Sequence, residues 1–114
     1  MKLSTTTQNE ITILFFEDRS SDLEKVEKFK STIKDLIDNG KTKIILDFSS
    51  VDFVDSSFLG GLVVMQKRVL SVHGDIKIVK LKPAVRLVFE LTRLYKVFEI
   101  LDTQEDALHS FNLV

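Results

Sequence analysis

Asp55, Ser56 and Ser57 stand in the middle of an otherwise apolar stretch, VDFVDSSFLGGLVV, which runs from Val51 to Val64. An acid beside two hydroxyls suggests three chemistries: nucleophilic hydrolysis, helix capping, and covalent modification of a hydroxyl. Hydrolysis would need a histidine base, an oxyanion hole and a pocket. The chain has two histidines, His73 in a VHGD turn and His109 among acids near the C-terminal end, and DSSFLGG is not the GxSxG elbow. Neither histidine has a second ligand at metal spacing and no HExxH occurs, so both read as exposed side chains. No GxGxxG or GxxxxGK[ST] is present, and Gly60-Gly61 follows Ser57 too closely to cradle a phosphate. The residues therefore do not read as an enzyme's and call for no cofactor or metal.

The basic run KIVKLKPAVR carries Lys77, Lys80, Lys82 and Arg86. It has no interleaved aromatics on which bases could stack, and it reads as a solvated strand face and helix start. Sixteen basic residues stand against seventeen acidic ones. That balance argues against a dominant attraction to nucleic acid or anionic membrane. The chain has no cysteine, which removes disulfides, thiolate metal sites and a cysteine nucleophile. The longest apolar run, Phe58 to Met65, is far short of the ~18 residues a spanning helix needs. The start, MKLSTTTQNE, turns polar at once and lacks a signal-peptide core. The expectation is a cytoplasmic protein without membrane insertion. A length of 114 residues without linker or repeat fits one domain over 1–114.

The elements that would position the acid and hydroxyls follow from hydrophobic period. ITILFFE suits a strand, paired with KLSTTT across a turn at Gln8-Asn9. Leu23, Val26, Phe29, Ile33, Leu36 and Ile37 recur at helical spacing, with Asp22 as N-cap and Asn39-Gly40 as stop. KIILDF is a continuous apolar run, as in a strand covered on both faces. SSVDF turns, and a helix runs from Phe58 to Ser71 with Leu59, Leu62, Val63, Val69 and Leu70 on one face and Gly74 as its C′ residue. DIKIVKL alternates as a strand does. Pro83 fits a first helical turn, with Val85, Val88, Phe89 and Leu91 buried. KVFEIL is extended, and TQEDALHSF is a final helix capped by its Thr. The alternation predicts an α/β fold with a mostly parallel sheet.

On composition alone Ser56 or Ser57 would be the N-cap of the helix, with Asp55 near its positive end. Three observations go further. One cap needs one polar group, yet three are present. The site lies at the carboxyl end of a central strand, where α/β domains place functional groups. And Gly60-Gly61 in the first turns costs ~1 kcal/mol per residue relative to alanine, which points to close packing on the sheet or close approach of another protein.

IILDFSSVDFVDSSFLGGLVVMQKRV, followed by GDIKIVKLKPAVRLVFELTRLYKVFEILDTQEDAL, resembles a STAS domain of the anti-sigma-factor antagonist family, from about Ile44 to Leu108. The resemblance implies a STAS-like single domain, a mixed, mostly parallel sheet of four to five strands with about four helices packed on it. It implies a non-enzymatic, phosphorylation-controlled binding module. The unphosphorylated antagonist sequesters an anti-sigma factor that is also a serine kinase, releasing a sigma factor; a PP2C-like phosphatase resets the serine. Carried over by position, the motif acid is Asp55 and the phosphate acceptor is Ser57, with Ser56 as fallback. The ATP and Mg belong to the kinase, so this chain needs no cofactor. The implied partner surface comprises Asp22, Asp55, Ser56, Ser57, Phe58, Leu59 and Gly60. Two departures stand out. Phe58 replaces the family's usual glycine, which would alter the docking surface or add a hydrophobic anchor. The glycine-bearing turn before the first helix is replaced by EDRSSDLEKV. The alternative within the same fold is a non-switching scaffold in a stress-signalling or transporter-associated assembly.

Overall fold

A computed structural model describes residues 3–17, 20–21 and 23–112. The elements are β1 (Leu3–Gln8), β2 (Ile11–Phe16), β3 (Ser20–Ser21), α1 (Leu23–Asp38), β4 (Lys43–Asp47), β5 (Phe53–Val54), α2 (Ser56–Ser71), β6 (Asp75–Val79), α3 (Pro83–Leu91), a 3-10 turn (Leu94–Lys96), β7 (Ile100–Leu101) and α4 (Gln104–Asn112). Five strands form one sheet in the order β1-β2-β4-β6-β7. β1 is antiparallel to β2, and every other pair in that sheet is parallel. The α/β fold with a mostly parallel sheet is the one expected from the alternation, and the mixed five-stranded sheet with four helices among the described residues is the one the resemblance implies. The two-residue strands β3 and β5 pair with each other outside it.

Local chemistry explains the element ends. The β1–β2 turn is Asn9-Glu10, one residue later than expected, and both take left-handed backbone angles (φ 52 and 68). That is the geometry of the two-residue hairpin turns whose twist matches the strands. Gly40 ends α1 at φ 74. Pro83 occupies the first turn of α3. The Thr103 hydroxyl accepts from the Asp106 N–H at 3.0 Å and caps α4. After α2, however, the left-handed residue is His73 (φ 65), not Gly74. Gly74 is required for space instead, because a β-carbon there would collide with the Thr42 carbonyl.

The sheet separates two cores. On one face Leu14, Phe16, Ile44, Leu46, Ile76 and Ile78 pack under α1, α2 and α3. Phe16, Phe29, Phe48 and Phe58 form a nest with ring centroids 5.1–6.3 Å apart. Edge-to-face pairs of this kind add about 0.5–1.5 kcal/mol each beyond their area. On the other face Ile11, Ile13, Ile45 and Val79 meet α4 through Ala107, Leu108 and Phe111. The central strand β4 is thus buried on both faces, as its unbroken apolar run predicts. In α3, Val85 and Phe89 are buried but Leu91 is 75% exposed. Its expected place in the core is corrected by the end of the helix, where the chain turns away after Leu91.

Lys77 departs from the solvated face expected of the basic run, while Lys80, Lys82 and Arg86 keep partly exposed side chains. Lys77 is buried, 2.6 Å from Glu99 and 3.4 Å from Asp75, with its ammonium over the Phe111 ring. Lys80 pairs with Asp47, Lys82 with Asp52 and Arg86 with Asp102. Each cation of the run has its own carboxylate. The hydrogen bond from Lys77, reinforced by one from Ser110, holds the Glu99 carboxyl below the usual carboxylate range.

Candidate functional site

The chain leaves the central strand β4, crosses Phe48 and Val51 in the core, pairs briefly as β5, and enters α2 at Asp55. Asp55 has extended backbone angles and its Oδ1 accepts the Phe58 N–H at 2.8 Å. The Leu59 N–H bonds to the Asp55 carbonyl at 3.1 Å. Asp55 is therefore the N-cap, and neither serine is. Ser56 and Ser57 are the first two residues of α2 and both are exposed. Neither hydroxyl hydrogen-bonds another described residue. The acid satisfies the helix end and its charge suits the helix dipole. The hydroxyls are left to solvent.

Phe58 is fully buried and stacks into the aromatic nest. The expectation that its ring alters or anchors the docking surface is corrected. At this position the helical rotation turns the side chain toward the sheet, and the ring replaces what would otherwise be a void beneath the helix start. Leu59 is half-buried and packs against the core margin. Asp22 lies outside the described residues.

The two glycines separate. A β-carbon on Gly61 would collide with the Val26 side chain, so this glycine lets α1 and α2 approach closely. The packing partner is the neighbouring helix, not the sheet. Gly60 is exposed and a β-carbon there would meet nothing within 4 Å. Nothing inside the described fold explains it.

Sequence reasoning missed Gln66. It is buried on α2, accepts the Ile76 N–H at 2.9 Å through its carbonyl oxygen, and donates to Asp75 Oδ1 at 2.8 Å and the Val97 carbonyl at 3.1 Å. A lone amide in an apolar stripe was the available signal. It fastens the helix that carries the serines to β6 and to the segment before β7. His73 and His109 are both exposed. Among the described residues no three of His, Cys, Asp and Glu come together as a metal site. No helix among them is long and apolar enough to cross a membrane.

Comparison with known proteins places this geometry. The sequence profile of the STAS domain family matches residues 2–107. A provisionally named anti-sigma factor antagonist of Thermotoga neapolitana, the TM1081 homolog, is 31% identical over 97 residues, 84% of this chain and 86% of its own. The crystal structure of a provisionally named anti-sigma factor antagonist from Thermotoga maritima (tm1081) superposes with a TM-score of 0.88 at 28% identity, covering 95% of this chain and 92% of that one. The Bacillus cell fate determinant SpoIIAA, in its phosphorylated form, shares the fold with a TM-score of 0.74 at 23% identity, over 96% of this chain and 99% of its own.

Proposed function

The chain belongs to the STAS domain family, among proteins designated anti-sigma factor antagonists, and on that premise we propose that it docks on an anti-sigma factor through the start of α2 and is released by phosphorylation of Ser57. The observation that carries this reading is the division of labour at the helix start. Asp55 does the capping, so the two exposed hydroxyls have no structural task. The existence of SpoIIAA in a phosphorylated form, on the same fold, supports the same chemistry here.

The partner is an anti-sigma factor that is also an ATP-dependent serine kinase. Its active site takes the Ser57 hydroxyl, and a PP2C-like phosphatase reverses the modification. Ser57, in the second position of α2, is the acceptor, with Ser56 beside it as fallback. Asp55, Leu59 and Gly60 complete the contact surface. Phosphorylation adds about -1.5 to -2 charges. The helix dipole partly stabilises that charge, so the fold survives. The interface does not, because the phosphate stands two residues from the Asp55 carboxylate and must be desolvated against it.

Incubation with ATP and a histidine-kinase-like ATPase, sought first among the products of neighbouring genes, tests the reading. One phosphate should be gained in intact mass and lost in Ser57→Ala. Ser57→Asp should bind that kinase at least about tenfold more weakly, with little change in melting temperature. Binding of both Ser57 variants with parental affinity would overturn the switch. A chain that binds but is never phosphorylated would favour the non-switching scaffold.

A further inference from the structure

We propose that the groove between α1 and α2 receives an acidic helical segment of the partner that engages Ser57; the proposal extends the reading above to a second contact region. The groove has a volume of about 360 Å³ and is lined by Glu27, Lys30, Lys34, Val64 and Arg68, among others. Lys30, Lys34 and Arg68 have no carboxylate partner among the described residues. In contrast, Lys77, Lys80, Lys82 and Arg86 are each neutralised by an acid. Among the described residues the groove thus carries three cations without an ion-pair partner against one acid.

The groove continues the Ser57 surface. At about 100° per residue, Ser57, Val64 and Arg68 fall within about 20° of one line along α2. Val64 stands about 10 Å and Arg68 about 16 Å along the axis from Ser57. Val64 is 47% exposed and gives the groove an apolar patch. The close approach of the helices at Gly61 brings Lys30 in at the groove's head: a β-carbon on Gly61 would lie 3.7 Å from Lys30 Cε. Gly61 is one helical turn from Ser57.

The occupant's chemistry follows from this layout. Glutamates or aspartates spaced three and four residues apart would meet Lys30, Lys34 and Arg68, and a small apolar side chain would rest on Val64. Phosphate on Ser57 would then act twice. It would repel the acidic segment, and it would lie within about a Debye length of Lys30 and compete for that cation.

The test uses a capped helical peptide of glutamate and alanine, followed by amide NMR on the labelled full chain. Expected are shifts confined to residues 27–34 and 61–68, no binding by the lysine-for-glutamate peptide, and affinity that falls with salt. Lys30→Glu/Lys34→Glu should weaken binding by about tenfold. Lys41→Glu/Lys96→Glu, with the same change in net charge, should not. Equal loss in both double variants, shifts elsewhere, or equal binding of single-stranded DNA or anionic phosphatidylserine vesicles would overturn the proposal. Kinase binding and phosphorylation are measured separately, so loss of the switch with peptide binding intact would sink only the Ser57 reading.

Discussion

At the scale of single residues, the start of α2 separates tasks that adjacent positions in the sequence make look alike. Asp55 caps, Ser56 and Ser57 face solvent, Phe58 fills the core, Gly60 is open and Gly61 is packed. The glycines give the sharpest prediction. Replacing an exposed helical glycine by alanine recovers about 0.5–1 kcal/mol of backbone entropy where space allows. Gly60→Ala should therefore raise the denaturation midpoint while weakening binding to the partner kinase, whose surface would meet the new methyl. Gly61→Ala should lower the midpoint, with a loss of about 1–3 kcal/mol of stability, because the methyl meets Val26 in a packed helix contact. Urea denaturation of the two variants decides the matter. If both stabilise, the close contact at Gly61 is not tight. If Gly60→Ala stabilises and binds unchanged, that face is not used. The acid–serine cluster was legible in the sequence because its residue types are rare in an apolar run. Which of them caps, and that Phe58 points inward, was not legible, because one residue of helical phase decides both and the start of the helix is ambiguous by one or two residues.

At the scale of elements, α2 is held to the sheet by more than apolar contact. Gln66 bonds to the Ile76 amide, to Asp75 and to the carbonyl of Val97, and so ties α2 to the beginning of β6 and to the segment that leads into β7. A buried amide is favourable only when its donors and acceptor are all matched, as here. Gln66→Leu keeps the bulk but strands the buried Ile76 N–H and the Val97 carbonyl. Each lost partner costs about 1–3 kcal/mol. The variant should be less stable by about 2–4 kcal/mol with an unchanged urea slope, whereas a gain in stability would mean that the amide is there for something other than anchoring. The major elements were legible from period: the α1 stripe, the β4 run, Pro83 at the start of α3 and Thr103 before α4. The pairing of β3 with β5 was not, since two-residue strands carry no period. Nor was the left-handed turn at His73, because the nearby Gly74 is the residue that ordinarily takes that geometry. The burial of Lys77 in β6 was not legible either. Alternation reveals that Lys77 shares a face with Ile45, but not that α4 covers that face.

At the scale of the whole molecule, the two faces of the sheet are unequally covered. Among the described residues, three helices pack on one face and α4 alone on the other. The α4 face accordingly relies on polar ties as well as on Ala107, Leu108 and Phe111: Gln104 donates to Asp47 at 2.6 Å, Ser110 to Glu99 at 2.8 Å, and Lys77 bonds Glu99 while lying over the Phe111 ring. The Glu99 carboxyl is held below its ordinary range by the Lys77 hydrogen bond first and the Ser110 hydrogen bond second. The folded state therefore binds this proton less readily than the unfolded chain does. The stabilisation is fully present above the unfolded value, about 4.3 for glutamate, and is lost as pH falls from there through the lower folded value. Because the Glu99 side chain is 48% exposed, solvent and salt reduce its size. Glu99→Gln removes the titration while leaving an acceptor for Lys77. Its urea midpoint should lie below the parent's at neutral pH and converge with it as the solution is acidified through the carboxylate range. High salt should narrow the neutral-pH gap. A gap that persists unchanged in acid would mean that Glu99 stabilises by packing alone, and that α4 is held to the sheet without help from its charge.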